Sequence, residues 1–444
     1  MKYLESIKSL ILLLLVLLSV LLSFSIWNFM PGYETIDKQP TVDITIGAQK
    51  RVEEVVKPYK LLFNFEDGKR GTENSLVIDR IFEKMKQLSI QELTLNQKIS
   101  VEGINETLRK PNQFTFFYPA GVPFKVLDTI LTIEDSNIPE ESFTQMIVKW
   151  NGNDENRLQI SFINNQENLE YIAYASGIDR SRLSDQILTD AANYNTYTEV
   201  QREGHLSLYL SSQAPDDMYE YTYLLTDTNL DQFKKALFPD PNVVRSNTVA
   251  LSTQEFLDDS SKLTVDTTNK WINYVNPGEE SKGIAIPSEL IFNSIDFVNE
   301  HGGWTDDYRF FDIDPINKEI SFGLHIAGFP AFSDTKMTTA IHETWGENDI
   351  FRYHRPFYDL GNPFPAENNN VPMISGKAAA DVLASIREID FNLIDEVKAG
   401  YNISTIQSQD QPLIVAEPSY FYSLNGNWLR LTQDMLGGGP LGLE

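Results

Sequence analysis

Leu10–Met30 reads LILLLLVLLSVLLSFSIWNFM and carries no charged residue. At ~1.5 Å of rise per residue, about 20 helical residues cross the ~30 Å hydrocarbon layer, so this run predicts a transmembrane helix. Lys2, Lys8 and the chain's amine precede it with Glu5, whereas Glu34 and Asp37 outnumber Lys38 just beyond. The positive-inside bias then keeps residues 1–9 cytoplasmic and places the bulk of the chain outside the cell membrane. A cleaved signal peptide is the rival reading. It calls for a shorter apolar core and a small-residue cleavage site, and Ser25-Ile26-Trp27-Asn28-Phe29-Met30-Pro31 offers bulky residues instead. With no cysteine, a lipobox-type anchor is excluded. The expectation is an uncleaved single-pass anchor with Trp27 at the outer interface.

Within that helix Ser19 and Ser23 are four apart, in line with Leu12 and Val16 and with Trp27 at the edge. Small residues at this spacing let a second helix approach, and each hydroxyl can bond across at ~1 kcal/mol. Leu12, Val16, Ser19, Ser23 and Trp27 therefore form a candidate contact face. The alternative is that each serine bonds the carbonyl of its preceding turn and faces lipid. No residue of the span is ionisable, so no ion path or proton relay is suggested.

The 444-residue chain leaves about 410 residues outside the bilayer, which predicts two or three domains. Hydrophobic content of 41% and aromatic content of 11% are those of folded matter. A formal net charge of −27 opposes nucleic acid and anionic headgroups as partners of the outer part. The absence of cysteine removes disulfides, thiolate nucleophiles and Cys-ligated metals together.

Outward from the anchor, Pro31–Pro40 reads as a short polar linker, and Thr41–Ile46 and Pro58–Phe65 as strands. A helix follows Ser75, with Val77, Ile81, Met85 and Leu88 on one face and Phe82 beside them. Thr144–Trp150 and Arg157–Ile163 make a strand pair about Asn151-Gly152-Asn153-Asp154. A helix followed by two aromatic-rich strands then occurs three times. The helices are Leu230–Leu237, capped near Thr228, then Pro287–Asn299, and a third starting at Ser375 with Ala379, Val382, Leu383 and Ile386 on one face. Their strands are Leu263–Asp266 with Trp271–Val275, Arg309–Ile313 with Glu319–Ile326, and Tyr420–Leu424 with Asn427–Leu431. The fold class is α+β: an anchor helix (10–30), an N-terminal domain (31–200), a middle domain (201–283), a C-terminal domain (284–435) and a tail (436–444). The last two are expected to pack helices on antiparallel sheets.

No chemical motif is complete. His342-Glu343-Thr344-Trp345-Gly346 begins like the zinc-protease helix, but glycine stands where the second histidine is needed. Ser333-Asp334-Thr335-Lys336 matches S-x-x-K without the S-D-N and K-T-G companions, and reads as a helix start after a strand. Gly376-Lys377 fails as a phosphate loop, and Asp312–Ile316 fails as a calcium loop. Asp314-Pro315-Ile316-Asn317 reads as a hairpin turn. No two of the five histidines lie within four residues of each other. We expect no enzyme, cofactor or metal.

Glu5-Ser6-Ile7-Lys8-Ser9, Ile26-Trp27-Asn28-Phe29 and Pro31-Gly32-Tyr33-Glu34 resemble the YycH family. His301-Gly302-Gly303-Trp304, the stretch from Phe322 to Gly328-Phe329-Pro330, and Arg352-Tyr353-His354-Arg355-Pro356 resemble its C-terminal half. The resemblance covers essentially the whole chain. It implies a single-pass anchor and three extracytoplasmic domains, the last two related to the companion regulator YycI. It also implies regulation of the YycG (WalK) sensor histidine kinase, hence of cell-wall metabolism, through transmembrane-helix contacts made together with a YycI-like partner, and no catalysis. Two other readings stay open: an extracytoplasmic wall-acting enzyme, for which Ser333 and Lys336 would have to line a cleft, and a ligand-sensing or adhesive module.

Overall fold

The computed structural model describes residues 46–151, 157–177, 187–215, 218–364, 371–407 and 412–436, with Leu15, Leu18, Ser19 and Leu183. Leu12, Val16, Ser23 and Trp27 of the expected contact face, and residues 31–45, lie outside the described residues, as does the tail beyond Leu436. Among the described residues no helix is long and apolar enough to cross a membrane.

Two large sheets hold most of the remaining chain. The first contains β1 (Lys60–Phe65), β2 (Gly68–Thr72), β3 (Ser89–Lys98), β4 (Gln113–Pro123) and β5 (Thr132–Ile133). It continues with β6 (Ser142–Lys149), β7 (Leu158–Asn164), β8 (Leu169–Ser176), β9 (Asn195–Val200) and β10 (Leu208–Ser211). Their spatial order is β10-β9-β2-β1-β4-β6-β7-β8-β3-β5. All neighbours are antiparallel except β3 and β5. The strand pair expected around residue 151 is β6–β7, with Met146 opposite Phe162.

The second sheet starts with β11 (Tyr221–Leu224), β12 (Arg245–Ala250), β13 (Thr253–Leu257), β14 (Lys262–Asp266) and β15 (Trp271–Val275). Next come β16 (Tyr308–Asp314), β17 (Glu319–Ile326), β18 (Phe329–Phe332), β19 (Ala340–Trp345) and β20 (Ile350–Pro356). It ends with β21 (Ile394–Gln407), β22 (Pro412–Leu424) and β23 (Asn427–Arg430). The order is β11-β22-β21-β18-β17-β19-β20-β15-β14-β13-β12, with β16 beside β17 and β23 beside β22. The three expected strand pairs are the hairpins β14–β15, β16–β17 and β22–β23. In the last, Asn425 (φ 52°) and Gly426 (φ 77°) both take the left-handed conformation that a two-residue hairpin turn requires.

Among the described residues five helices of eight residues or more pack on these sheets: α1 (Ser75–Met85), α2 (Val101–Arg109), α3 (Leu230–Leu237), α4 (Pro287–Glu300) and α5 (Gly376–Ser385). Each starts where the local chemistry allows. Ser375 Oγ accepts the Ala378 N–H at 3.1 Å, and Pro287 occupies the first turn of α4. The cap of α3 is Asn229, one residue after the expected Thr228, because its Oδ1 reaches the N–H groups of Asp231 and Gln232. α4 buries Leu290, Ile291, Ile295 and Val298. One hydrophobic cluster runs from Phe116 and Phe143 of the first sheet through these residues to Phe322 and Tyr353 of the second.

Ser333 to Lys336 is not a helix start. Ser333 Oγ accepts the Thr335 N–H at 3.2 Å and donates to Ile403 O at 2.9 Å, so the segment leaves β18 as a turn pinned to β21. His342-Glu343 lies on strand β19, where successive side chains point to opposite faces.

Candidate functional site

Three constructions stand out. The first joins the two sheets. Lys60 on β1 is 2% exposed, and its Nζ lies 3.0 Å from Glu396 Oε1 of β21 and 3.4 Å from Glu73 Oε1. It also donates to Tyr209 O at 3.2 Å, and Tyr59 donates its hydroxyl to Glu396. Burial alone would depress the Lys60 pKa, but the two carboxylates outweigh it and hold the pKa above its ordinary value. Glu396 is shifted the other way. Burial disfavours its charge, and the ammonium groups of Lys60 and Lys398 more than compensate. Lys398 sits between the rings of Tyr59 (3.9 Å) and Trp428 (4.5 Å), and burial takes its pKa down to about 8.

The second construction fastens the first described residues after the apolar run. Ile46 N–H donates to His301 O at 3.0 Å, Ala48 N–H to Trp304 O at 3.2 Å, and Lys50 N–H to Asn299 Oδ1 at 2.8 Å. The receiving loop follows α4 and is rigid by construction. Arg355, fully buried, donates to Gly303 O at 2.6 Å and to the Tyr353 hydroxyl at 3.0 Å, and His301 Nε2 lies 3.2 Å from that hydroxyl. A Cβ on Gly303 would meet His301 Nε2 at 2.6 Å and Arg355 Nη1 at 2.9 Å. The stretches 301–304 and 352–356 are thus neighbours with a packing role. Burial first, and the Arg355 charge second, push His301 down to about 3, so it is neutral at ordinary pH.

The third is an open groove of about 700 Å³ across the face of the second sheet that α4 does not cover. Register places Asn273, His354, His342, Ser321 and Asp312 directly opposite one another on β15, β20, β19, β17 and β16. Cross-strand partners share a face, so these five side chains form one row, roughly 19 Å long at the usual strand spacing. A parallel row holds Val275, Arg352, Thr344, Glu319 and Asp314. The His342 and His354 rings stack at 6.2 Å, and Trp271 packs on His354 at 5.5 Å. At the other end Phe332 stacks on Trp428 at 5.2 Å, with Phe311 at 6.1 Å from the same indole. Burial lowers His342 to about 4, and burial also depresses His354. Glu343, between the groove residues His342 and Thr344 in sequence, points the opposite way and is 1% exposed. Burial raises its pKa to about 8, and its Oε2 accepts the Trp345 indole N–H at 3.2 Å.

The expected helix contact face lies outside the described residues apart from Ser19. Ser333 is half-buried and Lys336 exposed on the turn after β18, and neither lines the groove. Among the described residues no three His, Asp or Glu side chains gather to hold a metal ion. The histidines that are scattered in sequence do meet in space: His342 and His354 are cross-strand neighbours. Alternation along Trp271-Ile272-Asn273 and Arg352-Tyr353-His354 could have placed each set on one face. Only the register shows that the faces coincide.

A Bacillus subtilis (strain 168) protein described as the two-component system WalR/WalK regulatory protein YycH is 20% identical over 456 residues, covering 97% of each chain. The crystal structure of YycH from Bacillus subtilis superposes with a TM-score of 0.72 at 17% identity, covering 89% of this chain and all of that one. The model of the YycH protein N-terminal domain matches residues 5–183, and that of the YycH protein C-terminal domain matches residues 205–435. With more than half of its length matched by the C-terminal model alone, the chain belongs to the YycH family.

Proposed function

We propose that this chain is a non-enzymatic regulator of a membrane sensor histidine kinase of the WalK type and, through it, of the WalR/WalK two-component system. The observation that carries the reading is the end-to-end match to a protein named as a regulator of that system. The uncharged run Leu10–Met30 supplies the means: a single-pass anchor, with the N-terminus cytoplasmic and the bulk of the chain extracytoplasmic. A YycI-like companion and the division of the outer part at about residues 200 and 283 belong to the same proposal.

A kinase with two signalling states responds to a bound helix only through the helix's difference in affinity for them. A difference of ~1–3 kcal/mol changes output about 5- to 150-fold. One or two intramembrane packing contacts along Leu12, Val16, Ser19, Ser23 and Trp27 are of that size. The bonds from residues 46–50 to Asn299 and the 301–304 loop hold the start of the outer part to its body, which supports a reading in which the outer part acts on the anchor.

The test is co-purification of the kinase from detergent-solubilised membranes. Replacing Ser19 and Ser23 by leucine should weaken the association while the protein level stays constant. Wild-type recovery of kinase by the double variant would remove the contact face, and full kinase control by the outer part alone would remove the anchor mechanism.

A further inference from the structure

The groove on the second sheet has no role in the regulation proposed above, yet it is built like a binding site. The side chains of Asn273, His342, Thr344 and Arg352 and the indole N–H groups of Trp271 and Trp428 have no hydrogen-bond partner among the described residues. Polar side chains held on rigid strands and left unspent in a concavity are available to a ligand. The aromatic rings stand at both ends of the row, Trp271 beside His354 and Trp428 beside Phe332, so flat apolar surface flanks a polar floor.

The chemistry of the lining selects among ligands. The central row is an amide, two imidazoles held below their ordinary pKa, a hydroxyl and the carboxyl of Asp312, with donors and acceptors but no lysine or arginine. Arg352 in the next row stands between Val275 and Thr344, and it is one guanidinium in a lining that also carries Asp312, Asp314 and Glu319, a balance that opposes an anion such as a nucleotide or a phosphate. A peptide strand adds to a sheet edge, whereas the row crosses a face on which β15, β20, β19 and β17 are paired on both sides and only β16 has a single partner. A lipid chain would have to lie along the polar row. An uncharged, polyhydroxylated molecule with flat apolar faces, which is the description of a pyranose, would use both the unspent polar groups and the rings. The row's length of roughly 19 Å suits several linked rings better than one.

We propose that the face formed by β15, β20, β19, β17 and β16 binds a neutral oligosaccharide, with Asn273, His342 and Thr344 bonding its hydroxyls and Trp271 and Trp428 stacking on its rings.

The test uses the full chain in a detergent without a sugar headgroup. Tryptophan fluorescence is read while chitotetraose and, separately, cellotetraose are added. A saturable change with at least one of them is expected, weakened at least tenfold by Trp271→Ala and by Asn273→Ala while the thermal melting curve of each variant matches the wild type. Should Trp271→Ala melt early, Asn273→Ala and Thr344→Val carry the comparison, since both residues are half-buried on the groove surface. No saturable change with either sugar overturns the proposal, and so does saturable binding that Asn273→Ala leaves unaltered. Kinase association reads different residues, so failure here does not touch that reading.

Discussion

Replacing Lys60 by methionine tests whether the two sheets are joined by charge. Methionine keeps most of the length and apolar volume of the stem while removing an ammonium that is 2% exposed and lies 3.0 Å and 3.4 Å from two carboxylates. Breaking a buried ion pair from one side costs ~3–5 kcal/mol, because the surviving charge is left without a counter-ion. Here the surviving side chains, Glu73 and Glu396, keep 17% and 18% of their surface in water, which recovers part of the loss. Lys398 also remains near Glu396. The expected destabilisation is therefore ~2–4 kcal/mol. Urea unfolding at pH 7 of a chain starting at Ile44, where the compact unit begins, reads this as a lower midpoint at constant slope. Glu396→Gln alone and the double variant complete a cycle whose coupling should exceed ~1 kcal/mol. A loss below ~1 kcal/mol for Lys60→Met, or strict additivity in the cycle, would refute the view that this cluster holds the sheets together.

Glu343→Gln should stabilise the protein at alkaline pH. The folded-state pKa of about 8 lies above the ordinary 4.5, so the native state keeps a proton that the unfolded chain releases between those values. Stability from this group is whole below about pH 4.5 and is lost as pH rises towards 8, and the neutral isostere should flatten that decline in melting temperature. An unchanged slope would mean that the carboxyl ionises freely. Gly303→Ala places a Cβ 2.6 Å from His301 Nε2, in a loop whose neighbours are buried, and should cost ~1–3 kcal/mol in the same urea assay. Gly278→Ala, whose Cβ would meet only Asn276 Oδ1 at 3.5 Å, should stay within ~0.5 kcal/mol of the wild type.

Local chemistry made much of this fold readable. Leu230–Leu237 and the start of α5 at Ser375 follow from a cap, a periodic apolar face and a stop residue, all within a dozen positions. Hairpins β14–β15, β16–β17 and β22–β23 follow from polar turns between alternating strands. The long strands β21 and β22, with Tyr401 opposite Pro418, were legible only at the end of β22, because burial on both faces along much of their length blurs the alternation. The groove was not legible at all. Its row draws on five strands spanning Asn273 to His354, and their side chains become neighbours only through register.

The amino-acid sequence on its own determined the uncharged apolar run, the acidic balance, the absence of thiol chemistry and the family likeness, since each depends on residue type and near spacing. The tertiary structure alone decided that Lys60 meets Glu396 across 336 residues, that residues 46–48 are bonded to the loop at Trp304, and that one sheet face is left open with polar groups unspent. These depend on which strands pair and in what register, and that is settled by packing of the whole chain rather than by any segment of it.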